Sequence, residues 1–276
     1  MRARARGLAR ARATEVRYNV VMSTPEAAKQ PGLPTIDVNE YGGKKGDLRQ
    51  SMNRRLFMQL LVFDVPAGAA APDAIAAQTA GLLRERGVPG VVYADAMDPR
   101  GLGLLTWSDD PSHFVTAVRP LFAAPALATV AMRPGWAMIG RTYGQGHEPE
   151  LEYVLLKRAV DNVMNESFAW HVWYPLRRTG EFAKLEQQEQ GPILREHATI
   201  GMAYGQQGLA HDIRLACHGM DQADNEFVIG LVGKDLHPLS HLVQGMRKTR
   251  QTSEFIAKMG PFFVGHVAHR SGGERP

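Results

Sequence analysis

A chain of 276 residues with 44% hydrophobic and 22% charged side chains can bury a real core, as one large domain or two small ones, and reads as globular. No apolar run approaches the roughly 20 residues that a bilayer crossing needs, and the single cysteine, Cys217, excludes an intramolecular disulfide framework and fits a reducing compartment. The net charge of +4 is no nucleic-acid footprint, because Arg2, Arg4, Arg6, Arg10 and Arg12 sit together in the opening stretch and leave the remainder near neutrality.

That opening stretch, MRARARGLARARA, lacks the apolar centre of a secretory signal. It is expected to be a loose extension, or a start placed upstream of Met22, rather than an Arg-rich transit peptide, and a cytoplasmic location is the default. Residues 1–52 hold Pro31, Pro34, Gly42, Gly43 and Gly46 with little periodicity and read as an extended arm. Regular structure is predicted to begin with a strand over 56–65, followed by a helix in APDAIAAQTAGLLRERG, where Pro72 and Asp73 suit the first turn and Gly87 the end.

The chain then repeats itself. MDPRGLGLLTWSDDPSHFVTAVR (97–119) and MDQADNEFVIGLVGKDLHPLSHLVQGMR (220–247) share Met-Asp, a polar turn, an apolar strand, an acidic stop, Ser-His and an amphipathic helix, and MRPGWAMIG (132–140) answers MGPFFVG (259–265) in the same order. Each copy reads strand, helix, strand, strand, helix, strand. In the second copy these are FAWHVWYPL (168–176), a helix from about 181 to 204, AHDIRLACHG, EFVIGLVG, a helix near 238–257 and PFFVGHVAH. The expectation is an α+β chain of tandem ferredoxin-like repeats at 53–145 and 167–276, joined by a polar linker at 146–166 and closing into a dimeric α+β barrel. In FAWHVWYPL, Phe168, Trp170, Val172 and Tyr174 alternate with Ala169, His171, Trp173 and Pro175, so large aromatics fall on both faces and both need cover.

In ILREHATIGMAYG (193–205), Ile193, His197, Ile200, Gly201 and Tyr204 share one side of a helix, with a histidine where leucine would pack better and a glycine one turn on. A neutral imidazole beside a gap is a standard axial ligand for iron in a macrocycle, although a lone histidine on an apolar face is more often a hydrogen-bonded core residue.

From WHVWYPLRRTGEFAKL through REHATIGMAYG, LACHGMDQADNEFVIGLVGKD and MRKTRQTSEF to GPFFVG, the chain resembles the chlorite dismutase family over about 110 residues, with coproheme decarboxylases, the peroxide-dependent haem synthases, as the nearest likeness within it. The resemblance implies a homo-oligomer, typically a ring of five, that binds haem as iron coproporphyrin or haem b and reacts with hydrogen peroxide or another small oxidant in haem biosynthesis. It implies His197 as the proximal iron ligand, Tyr174 as the radical-forming phenol, and Arg178, Arg247 and Thr252 as propionate partners. On the distal side the pattern breaks: counting back from GMD reaches Asp212, counting forward from His197 reaches Ala210, and Arg214 shares a strand face with Asp212. His211 or Asp212 is the candidate base for bound peroxide.

Three other readings stand beside this one. A haem b peroxidase or chlorite-degrading enzyme would use the same ligand, a haem carrier or sensor would not need Tyr174, and a non-haem metalloprotein would draw on His211 with His218, His237 with His241, or His266 with His269. Within these, Pro238 makes His237 read as the residue before a helix.

Overall fold

The computed structural model describes residues 33–272, so the expectation for the Arg-rich opening lies outside the described residues. Its elements are β1 (Glu40–Lys45), β2 (Leu48–Met52), β3 (Phe57–Asp64), α1 (Pro72–Glu85), β4 (Gly90–Asp95), β5 (Gly101–Ser108), β6 (Ala131–Met132), β7 (Met138–Arg141), α2 (Arg158–Met164), β8 (Trp170–Arg178), α3 (Gly180–Lys184), α4 (Gln187–Gln206), β9 (His211–Ala216), β10 (Phe227–Gly233), α5 (Leu236–Met246), α6 (Arg250–Phe255), β11 (Ile256–Met259) and β12 (Phe263–Ser271).

The long strands form one antiparallel sheet in the order β10, β9, β7, β3, β5, β4, β12, β8, and a further pairing of β8 with β10 closes it into a barrel. Each half runs its four strands in the same spatial order, fourth, first, third, second, as β7-β3-β5-β4 and β12-β8-β10-β9. The two seams between halves are unequal. One runs from Gly265↔Asp95 to Ser271↔Gly90, whereas the other is the single pair Arg141↔Ala216. At that short seam a Cβ on Gly140 would lie 2.7 Å from Leu215 Cβ, so only glycine permits the approach.

Alternation along each strand divides the apolar residues into layers. One face of β8 sends His171 and Trp173, both fully buried, into the barrel beside Leu60, Tyr93, Trp107, Ile213 and Phe263. The other sends Val172, Tyr174 and Leu176 outward against Leu239 and Leu242 of α5. The outer face of the first half is covered by Ile75, Ala76, Ala80 and Leu83 of α1.

Glycine makes room for the interior aromatics. Gly230 pairs across the sheet with Trp173, and a Cβ there would sit 2.6 Å from Trp173 Cζ3. Gly230→Ala is therefore expected to cost roughly 1–3 kcal/mol through overpacking, read as a lower urea midpoint. An unchanged midpoint would mean that Trp173 has room to shift.

Five expectations need correction. The arm over 1–52 ends in a hairpin, β1 with β2, turned at Gly46 (φ +65°). It is held by long-range bonds that no local periodicity announces: Gly43 N donates to Glu148 O at 2.9 Å and the Gln50 amide to Pro149 O at 2.9 Å. The linker over 146–166 is helical from Tyr153, because Leu151, Leu155, Ala159 and Val163 repeat every four residues and are buried. The helix expected over 181–204 breaks at Leu185–Glu186, where the Glu186 and Glu189 side chains cap α4 reciprocally. The helix expected over 238–257 is two, α5 and α6, with Thr249 capping the second, and its last residues pair with β8 as β11. In the first half, the helix read in PSHFVTAVR is an irregular turn pair over Phe114–Val118 and Arg119–Ala123, with Pro120 inside the second.

Candidate functional site

The outer faces of β8, β10 and β9 carry three cross-strand rows. Val172, Leu231 and Asp212 are in register, as are Tyr174, Ile229 and Arg214, and Leu176, Phe227 and Ala216. Neighbouring strands lie about 4.8 Å apart, so Tyr174 and Arg214 stand roughly 10 Å from each other on one face with Ile229 between them.

Facing this sheet, α4 is unusual. Its 20 residues bury only Ile193, whereas the 14 residues of α1 bury five. The apolar side of α4 is present but open, since Ile200 and Tyr204 remain half-buried, as do Ile229, Val264 and Met246 around them. A Cβ on Gly201 would meet only Met246 Cε, at 3.5 Å. Apolar side chains of α4 and of the sheet's outer face thus pack against one buried cluster while staying only partly covered.

His197 lies on this side of α4, half-buried, with Nδ1 3.3 Å from Thr249 Oγ1. Burial, and next the Arg214 charge, hold its imidazole below the ordinary histidine range, while Asp212 and Glu196 pull the other way. It is neutral at pH 7 and available as a nitrogen donor.

Tyr174 is 7% exposed and stacks on Phe262 at 4.5 Å between ring centroids. Burial raises its phenol well above the ordinary tyrosine range, the Asp212 carboxylate adds to this and Arg247 opposes it, so it keeps its proton throughout the neutral range.

The β9 side chains settle into a charged chain. Asp212 accepts from Arg214 at 2.8 Å and from Arg158 of α2 at 2.5 Å. Burial alone would raise the Asp212 carboxyl, but Arg214 and Arg158 outweigh it and hold the group below the usual carboxylate range. Arg158 is a partner that sequence reasoning missed, and the four-residue stripe that makes its segment helical is the signal that would have placed it opposite β9.

The remaining sequence candidates separate. Arg178 is engaged at the end of β8, its Nε donating to Glu226 at 3.0 Å and its guanidinium lying 4.6 Å over the Phe182 ring and 4.8 Å over the Phe227 ring. Arg247 is exposed, 3.9 Å from Met259 Sδ. Thr252 Oγ1 is 3.4 Å from Thr249 Oγ1, so it joins the His197 network through that residue. His211 must be corrected: it stacks on Phe168 at 4.8 Å, on the alternate face of β9 from Asp212, and so is not brought to Tyr174. Asp212 is spent on two arginines, and the side chain in register with Tyr174 is Arg214.

Of the paired histidines, His237 and His241 lie 5.9 Å apart between ring centroids, with His241 Nδ1 bonded to the Tyr204 hydroxyl. His218 lies edge-on to Phe227. Among the described residues no three histidine, cysteine, aspartate or glutamate side chains are placed to hold a metal ion, and no helix is long and apolar enough to cross a membrane.

Known proteins resemble this chain in sequence over one segment and in fold over most of its length. Residues 150–268 match the family model described as chlorite dismutase. No curated protein matches the sequence. Among solved structures, a heme-binding protein from Thermus thermophilus superposes with a TM-score of 0.61 at 16% identity, over 78% of this chain and 91% of that one. The chlorite dismutase from Candidatus Nitrospira defluvii in complex with imidazole gives a TM-score of 0.60 at 11% identity, over 78% and 92%. At such identities the structural likeness speaks for the fold, and the sequence match speaks for the segment that supplies α4 and its facing strands. Residues 150–268 therefore carry this chain's likeness to the chlorite dismutase family.

Proposed function

We propose that this chain binds an iron porphyrin in the cleft between α4 and the outer face of β8–β10, and that it uses peroxide to decarboxylate iron coproporphyrin to haem. The observation that carries the reading is the pairing of an underpacked apolar helix face bearing a neutral imidazole with a strand face bearing a buried phenol. The donors present fit the group: one nitrogen ligand, apolar walls from Ile200, Ile229, Met246 and Val264, and cations at the margin in Arg247 and Arg178.

His197 would hold the iron, and the bound group would supply oxidising equivalents drawn from peroxide. Burial keeps the proton on Tyr174, so its phenol would be the group to pass a hydrogen atom to the peroxide-oxidised porphyrin and to take one back from a propionate β-carbon. Overall, each propionate would become a vinyl group and carbon dioxide, yielding two electrons and one proton, which with one further proton from solvent would reduce one peroxide to two waters. Arg247 and Thr252 would orient the propionates, and Arg178 would do so by exchanging its bond to Glu226. The Arg158–Asp212–Arg214 chain would hold an oxidant on the side of the cleft facing the imidazole. Assembly into a homo-oligomeric ring of five and a cytoplasmic setting belong to the same reading.

The test mixes the protein with iron coproporphyrin and hydrogen peroxide and follows products by mass spectrometry. Species lighter by carbon dioxide and two hydrogens per step are expected, with His197→Ala losing both the Soret band of the complex and the products. An intact porphyrin mass under these conditions would overturn the reading.

Arg214 favours a second reading, a haem b enzyme that degrades chlorite. A guanidinium in register with Tyr174 is the kind of donor that would keep a small oxyanion near the metal. An oxygen electrode separates the two, because only this second activity releases dioxygen on addition of chlorite to the haem b complex.

A further inference from the structure

We infer that Thr249 is a positioning residue that selects the tautomer of His197: its hydroxyl accepts from Nδ1–H and leaves the Nε2 lone pair free to bind a metal. Thr249 is 1% exposed, so no solvent molecule substitutes for its bonds. A hydroxyl has one proton, and three acceptors compete for it. Met246 O is nearest at 2.8 Å, against 3.3 Å for His197 Nδ1 and 3.4 Å for Thr252 Oγ1. A carbonyl oxygen can only accept, so the proton goes to Met246. The lone pairs of Thr249 Oγ1 then face His197, and the hydrogen on that edge of the ring must come from Nδ1.

The geometry has a local origin. Thr249 is the N-cap of α6 and its own N–H bonds to Met246 O at 3.0 Å, so the turn joining α5 to α6 fixes the hydroxyl by backbone as well as side chain. His197 comes from α4, 52 positions away in sequence, and the contact ties that helix to the α5–α6 turn. A ligating imidazole held through its second nitrogen is set in both orientation and basicity, and removing such a partner typically weakens metal binding by roughly 10–100-fold.

The consequence for iron rests on the proposed porphyrin reading, but the tautomer does not, and two measurements keep them apart. In the ligand-free protein, nitrogen-15 shifts of the His197 ring are expected to show the Nδ1–H form in the wild type and in Thr249→Ser. Thr249→Val, which keeps the shape and removes the hydroxyl, is expected to give a mixture. Thr249→Asp preserves an N-cap and offers a stronger acceptor, so it guards against misreading a loss of the α6 cap, and it is expected to retain the Nδ1–H form. In haem titrations followed at the Soret band, Val should weaken binding by about tenfold or more while Ser stays within about twofold. A wild-type ring protonated on Nε2, or a Val variant with unchanged ring shifts and unchanged haem affinity, would overturn the inference. A wild type that shows the Nδ1–H form yet takes up no porphyrin would overturn the porphyrin reading and leave the tautomer assignment standing.

Discussion

Tyr174→Phe is expected to bind iron coproporphyrin as the wild type does and to form decarboxylated product at least about a hundredfold more slowly, a barrier increase of about 2.7 kcal/mol. Phenylalanine keeps the stacking on Phe262 and the burial between β8 and α5, so the change removes the hydroxyl with little else. What is lost is the hydrogen atom that burial keeps on the phenol oxygen. Single-turnover mass spectrometry is the measurement to use, with a Soret titration alongside it, because it separates the chemical step from binding. Equal rates of product formation in the two proteins would remove Tyr174 from the mechanism.

The second large effect concerns stability. His171 is fully buried inside the barrel, its Nδ1 2.8 Å from the Tyr93 hydroxyl. Burial first, and the nearby Arg270 charge next, lower its pKa from 6.5 to about 3. The unfolded chain therefore takes up a proton near pH 6.5 that the folded protein refuses until about pH 3. Above the unfolded value both states are neutral and the group contributes nothing. As pH falls below it, the unfolded state alone is favoured, so stability declines through this window.

Between pH 6.5 and about pH 4 the loss attributable to this one side chain is about 3 kcal/mol. His171→Gln carries no titrating group and should lose less stability over the same range. Urea unfolding of both proteins at about pH 7, 5 and 4 checks this, since losses from carboxylates are common to both and cancel in the difference. A difference between the two proteins that stays constant across the series would show that His171 reaches solvent and titrates normally.

Much of the fold was legible because strand and helix periods survive burial. The alternation in FAWHVWYPL shows two covered faces, and the structure fills one with the barrel interior and the other with α5. The Met-Asp and Ser-His correspondences mark two copies of one element order, which the closed sheet contains. Where the reading failed, the deciding bonds were long-range. The hairpin at 40–52 is held by carbonyls at 148 and 149, and β11 forms because the end of α6 meets an open edge of β8.

What the sequence by itself determined is the set of parts: the strand order within each copy, the imidazole on the open side of α4, the phenol on β8 and the match of residues 150–268 to a known family. Only the tertiary structure decided which parts meet. Counting along the chain could not tell which of Ala210, Asp212 and Arg214 stands in register with Tyr174, because cross-strand register is a property of paired backbones. Nor could it find Arg158 or Thr249, whose partners lie 54 and 52 positions away and are brought within hydrogen-bond reach only when α2 docks on β9 and the α5–α6 turn docks on α4.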